Sequence, residues 1–246
     1  MPRYKLTVEY HGGPFVGWQR QDNGLSVQAV LEDAARALCG APATAHAAGR
    51  TDAGVHAFAM AAHIDLPKDY GEDVVRDALN HHMKPRPVAV LSAEARTDDF
   101  HARFSCVRRA YEYRIVNRRP PLTLEAGLAW RVAEPLDAAA MHQAAQTLVG
   151  RHDFTTFRAS ACQADSPVKT LEEISVTRAG ETVFIRCAAR SFLHHQVRSF
   201  AGSLVEVGRG KWRAADLKAA LEARDRKACA PVAPPDGLYF LRADYA

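Results

Sequence analysis

The sequence predicts an α+β (mixed α/β) protein made of two ferredoxin-like, RRM-like halves, each a β-α-β-β-α-β string with an antiparallel sheet. Three observations predict it. Residues 3–96 run through strand and helix periodicities in that order, and residues 108–244 repeat the order. The 246-residue chain, 48% apolar and 24% charged, has the balance of an ordinary globular protein, which excludes disordered, collagenous and coiled-coil classes. The repeat is one of architecture, since no long identity links the halves.

Tyr4, Leu6, Val8 and Tyr10 alternate on one face of a strand over residues 3–10, which Gly12-Gly13-Pro14 ends. Ser26 caps a helix whose apolar positions Val27, Val30, Leu31, Ala34, Ala35 and Leu38 keep helical spacing until Gly40. A weak strand at 43–48 leads to the loop Gly49–Gly54, and alternation resumes through Phe58, Met60, Ala62, Ile64 and Leu66 in a strand over 55–66. A helix near 72–82 and a strand near 87–96 complete the first half. The second half reads as a strand at 108–117, a helix at 137–149 capped by Asp137, and a hairpin of 171–178 and 182–190 turning at Ala179-Gly180. A helix at 193–207 and a strand at 238–244 follow. The expected domains are 1–105 and 106–246, with 118–136 and 226–236 as proline-containing connectors. Two such sheets side by side leave a central cleft lined by loops of both halves, and an open sheet with basic edges is a platform for RNA.

The net charge of +4 is small, but its distribution is uneven. Residues 101–119 hold six arginines (103, 108, 109, 114, 118 and 119) against one acid, Glu112, and no lysine. Arginine forks suit phosphates, which makes Arg103, Arg108 and Arg109 candidate RNA contacts; the plain alternative is a solvated strand face. The five cysteines are scattered, the closest pair being 25 residues apart, so none forms the C-x-x-C of a zinc or redox site, and the count fits a reducing cytosol. The N-terminus lacks the apolar core of a signal peptide and no stretch is long enough to span a bilayer, so a cytoplasmic protein with no membrane partner is expected.

Asp52 sits in Gly49-Arg50-Thr51-Asp52-Ala53-Gly54, a short turn with glycine on both sides, where backbone approaches a ligand closely. It is the candidate nucleophile. An aspartate in such a turn commonly bonds its own backbone instead. The adjacent Arg50 favours chemistry, since a guanidinium beside a carboxylate keeps it ionised and fixes its direction. Tyr111 and Tyr113 share one strand face, an arrangement common in cores, but arginines surround them. The histidine doublets 81–82 and 194–195 lack the spacing of metal ligands, and no metal is expected.

The block Gly49-Arg50-Thr51-Asp52-Ala53-Gly54-Val55-His56 resembles the active-site motif of the tRNA pseudouridine synthase A family. Gly17-Trp18-Gln19-Arg20-Gln21, Asp99-Phe100-His101-Ala102-Arg103-Phe104-Ser105, Arg109-Ala110-Tyr111-Glu112-Tyr113, His194-His195-Gln196-Val197-Arg198 and Gly237-Leu238-Tyr239 extend the resemblance across nearly the whole chain in family order. The sequence departs from the family pattern at His11, Gln196 and Ser199, where Asp, Met and Asn are usual. The resemblance implies an isomerase converting uridine to pseudouridine at positions 38, 39 and 40 of the tRNA anticodon stem-loop, acting without a cofactor as a homodimer. It implies Asp52 as nucleophile, Tyr111 stacking on the target base, Arg198 pairing with Asp52, and Leu238 closing the pocket beneath the uracil. Attack on the anomeric carbon, addition to C6 and action on the ribose are all open to Asp52. Two other classes compete. A non-catalytic RNA-binding protein of two RRM-like units lacks here its aromatic signature, and a retaining glycosidase requires a second carboxylate about 5 Å away, for which the loop offers no candidate.

Overall fold

Apolar alternation on the first strand and helical apolar spacing behind it build the first unit. The computed structural model of the chain describes residues 1–160 and 162–246. Within them, β1 (Arg3–Tyr10), α1 (Val27–Cys39), β2 (Ala45–Ala47), β3 (His56–Asp65), α2 (Glu72–Met83) and β4 (Val88–Arg96) follow the predicted order. β1 pairs antiparallel with β3 and β4, and β2 pairs antiparallel with β3. Leu6, Val8, Met60, Ile64, Leu31 and Leu79 form a water-free core. The Ser26 hydroxyl accepts from the Ala29 N–H at 3.1 Å, a cap worth about 1 kcal/mol, and Gly40 ends α1 at φ +71°. Asn80 of α2 both donates to and accepts from the Val90 backbone at 2.8 Å, pinning helix to strand.

The second unit contains most of β5 (Cys106–Asn117), then β6 (Trp130–Val132), α3 (Ala138–Ala145), β7 (Gly150–Asp153), β8 (Val168–Ala179), β9 (Thr182–Ala189), α4 (Gln196–Gly208) and α5 (Ala214–Ala223). The β8–β9 hairpin turns at Gly180, φ +58°, as predicted, with Ala179 opposite Thr182. β7 pairs antiparallel with β8, and β6 parallel with β5. Phe154, Phe157 and Phe200 cluster in the core with ring centroids 5.2–6.5 Å apart.

The protein is thus mixed α+β with mostly antiparallel open sheets. The chain divides into Met1–Arg109 with Tyr239–Ala246, and Ala110–Leu238. The last strand, β10 (Leu238–Tyr245), therefore belongs almost wholly to the first unit, where it runs parallel to β3. Three elements escape sequence periodicity. β6 is three residues long, β7 has no apolar alternation, and α5 is alanine-rich, with only Leu217, Ala220 and Leu221 buried. Two helices are shorter than their apolar pattern. α3, capped by Asp137, ends at Ala145 and tightens into a 3₁₀ turn. α4 starts at Gln196 because its side chain accepts from the Leu193 N–H at 2.7 Å and His195 adopts φ +64°, which turns residues 193–195 away from the helix. Among the described residues no helix is long and apolar enough to cross a membrane.

Candidate active site

Asp52 is fixed by two glycine-bearing loops of the first unit. The Gly17 backbone forms an antiparallel bridge with Asp52, the Trp18 N–H donates to the Thr51 carbonyl at 3.0 Å, and the Tyr10 hydroxyl bonds Thr51 Oγ1 at 2.8 Å. The Val55 N–H closes the turn on the Asp52 carbonyl at 3.2 Å, with Gly54 at φ +80°. The Gly12 N–H donates to His56 Nδ1 at 3.0 Å. These approaches exclude side chains: a Cβ on Gly12 would lie 2.1 Å from the Val55 oxygen. Phe15 and Trp18 are buried, so the aspartate loop lies against a packed wall. Asp52 itself is half-buried and Arg50 is exposed.

The arginines differ in their surroundings. Arg109 is buried, with Nε donating to the Ala48 carbonyl at 2.8 Å and Nη2 to the Arg103 carbonyl at 2.7 Å. It ties the entry to the Asp52 loop to residues 101–105. Arg103 is exposed, and Arg108 is half-buried 4.0 Å from Asp244.

Tyr111, Arg198 and Leu238 all lie in the second unit. Tyr111 is buried, edge-to-face with Phe192 at 5.1 Å. Arg198 stands in the first turn of α4; its Nε donates to the Ala233 carbonyl at 2.8 Å, and the Ala233 N–H returns to the Arg198 carbonyl at 3.2 Å. Gly202 lets this strap lie on the helix, for a Cβ there would be 2.0 Å from the Pro231 oxygen. The Tyr113 hydroxyl donates to the Pro234 carbonyl at 2.7 Å, and burial pushes that phenol well above its ordinary pKa. Gly237, with Tyr113 ring atoms 2.8 Å from where a Cβ would stand, completes the strap just before Leu238. One segment, 231–238, thereby connects Arg198 to Leu238. The resemblance singles out Arg198 and Leu238, while the Tyr111–Tyr113 pair is the one sequence feature that bears on Tyr113, the anchor of this segment.

This loop-by-loop geometry coincides with a family match over both units. The model of the family described as tRNA pseudouridine synthase matches residues 6–105 and 144–246. The chain belongs to the tRNA pseudouridine synthase family. Among similar proteins, the tRNA pseudouridine synthase A of Maricaulis maris is 63% identical over 245 residues, covering all of this chain and 98% of its own length. That of Afipia carboxidovorans is 62% identical and that of Paramagnetospirillum magneticum 61%, with 100% and 96% of their lengths covered. As a pseudouridine synthase the chain is an isomerase, and the 49–56 block lies inside the matched region.

A buried histidine elsewhere in the same unit titrates well below its ordinary range. His63 is buried, its Nδ1 accepting from the Ala102 N–H at 3.1 Å, with the His101 ring 4.6 Å and the His46 ring 4.9 Å away. Burial, then the positive charge of His101, Arg3 and His46, lowers its pKa from 6.5 to about 4, against the opposing pull of Asp65. The unfolded chain therefore binds the proton first. Stability contributed by neutral His63 is complete above pH 6.5 and is lost as pH falls towards 4, by as much as about 3 kcal/mol. Urea midpoints between pH 7.5 and 4.5 are expected to fall less steeply in His63→Asn, whose amide oxygen retains an acceptor; an identical slope would contradict this assignment.

Proposed function

We propose that this pseudouridine synthase converts uridine to pseudouridine at positions 38, 39 and 40 of the tRNA anticodon stem-loop, with Asp52 as nucleophile and without a cofactor. The observation that carries the reading is the glycine-locked loop that fixes Asp52 in a chain of this family. Uracil must leave its ribose, turn, and rejoin through C5, and one rigidly held carboxylate supplies the nucleophile for that sequence. A base drawn from its helix loses stacking, and an aromatic face returns roughly 1 to 3 kcal/mol of it. We assign that face to Tyr111. Arg198 and Arg50 are proposed as basic substrate-binding groups and Leu238 as the apolar one. The reading extends to ferredoxin-like halves, supported in the first unit by β1 lying between β4 and β3, and to a cytoplasmic homodimer, with scattered cysteines as support for the compartment.

Incubating the purified chain with unmodified tRNA and mapping pseudouridine by mass spectrometry tests the reaction. New pseudouridine at positions 38–40 is expected; tRNA that is bound but unaltered would favour the non-catalytic RNA-binding class. Arg103 and Arg108 are proposed to meet phosphates, with Arg109 acting through its hold on the Arg103 carbonyl. Replacing Arg103 and Arg108 together by alanine is expected to flatten the dependence of log affinity on log salt by about 1 to 2, as each phosphate contact carries just under one counterion. An unaltered slope would refute the phosphate assignment.

A further inference from the structure

Phe104 is 74% exposed, and no other phenylalanine, tryptophan or tyrosine among the described residues is exposed. Its loop is not loose. The His101 N–H donates to Ser105 Oγ and the Ser105 N–H returns to the His101 carbonyl, both at 2.9 Å. His101 Nδ1 accepts from the N–H groups of Arg103 and Phe104 at 3.1 and 3.3 Å. The Ala102 peptide is held at both ends, its N–H by His63 and its carbonyl by the Tyr245 hydroxyl at 2.8 Å, and Arg109 holds the next carbonyl. A segment so fully bonded presents Phe104 to water in one fixed place. The His101 ring lies 4.4 Å from that of Phe104, inclined by 35°, and the Arg103 guanidinium lies 5.7 Å from its centroid. Single exposed apolar residues are ordinary; what sets this one apart is that a fully bonded loop holds the ring in one place between an imidazole and a guanidinium.

We propose that Phe104 is a stacking platform for an unpaired base of the tRNA substrate, with Arg103 beside it for the adjoining phosphate; this rests on the reading that the chain acts on tRNA. The chemistry around the ring selects the occupant. An apolar protein surface requires a broad apolar patch, whereas Phe104 is bordered by Arg103, and in the segment 101–109 Val107 is the one other exposed large apolar side chain. A flat ring beside a guanidinium matches a nucleobase and its phosphate, and every base offers a face to stack on. Because His101, His63, Tyr245 and Arg109 fix the loop before RNA arrives, little ordering is required on binding. His101 and Arg109 are thus positioning residues for this contact.

The test measures tRNA affinity in the Asp52→Asn background, so that no turnover is needed. Phe104→Ala is expected to weaken tRNA binding roughly tenfold or more, and Phe104→Trp to restore it. The new indole is expected to lose fluorescence when tRNA is added, relative to the parent with its three native tryptophans. Affinity of Phe104→Ala within twofold of the parent would overturn the proposal. So would a loss of affinity accompanied by a change in oligomeric mass on light scattering, since Phe104 would then be a contact between copies. A protein that makes no pseudouridine yet binds tRNA through Phe104 defeats the functional reading and leaves this one standing; active protein indifferent to Phe104 does the reverse.

Discussion

Gly17→Ala is expected to destabilise the protein by about 2 to 5 kcal/mol and to lower pseudouridine formation roughly 100-fold under conditions where the variant remains folded. Gly17 occupies φ +113°, where a side chain is strained, and its Cβ would stand 2.6 Å from the Thr51 carbonyl oxygen. That oxygen accepts the Trp18 N–H, and the next residue is Asp52. Relief requires the two loops to part, which displaces the carboxylate from the position that the proposed chemistry needs. Gly40→Ala separates strain from displacement. Gly40 is also in the left-handed region, at φ +71°, but a Cβ there meets nothing within 4 Å. Denaturant midpoints should fall in both variants, while single-turnover rates should fall only in Gly17→Ala. Equal rates in the two would detach the loop geometry from catalysis.

Much of the fold is written in short-range signals. The Ser26 cap, the Gly40 stop, the strict alternation of β1 and the Ala179-Gly180 turn each depend on residues a few positions apart, and each is present in the structure. What escaped depends on distant partners. β7, of sequence Gly-Arg-His-Asp, is a strand because β8 pairs with it, and β10 lies in the first unit because β3 receives it. The candidate site divides the same way. Asp52 and its bracketing glycines stand out locally. Nothing local marks Gly12 as the position where Val55 comes within contact of the backbone, Tyr113 as the anchor of Pro234, or Arg109 as a buried link between Ala48 and Arg103. Arg109 shows the limit plainly. In sequence it is one of six arginines in a basic run, and only the fold shows that its guanidinium is turned to main-chain carbonyls.

Asp52→Asn at the proposed nucleophile preserves size and most hydrogen bonding but removes the negative charge that makes the oxygen nucleophilic. Removing a nucleophile in this way costs about 10⁴-fold or more in the chemical step. Asp52 sits in a clamp made by backbone bonds of Gly17, Trp18 and Val55, so the substitution leaves the loop itself in place. tRNA affinity should therefore change by no more than about threefold, since the proposed binding groups lie elsewhere. The decisive measurement is the rate of tritium release from C5-labelled uridine in tRNA, with enzyme in excess, for the parent and for Asp52→Asn. Release slowed by about 10⁴-fold, with tRNA still bound, is the result expected. Release within tenfold of the parent rate would show that some other group performs the chemistry.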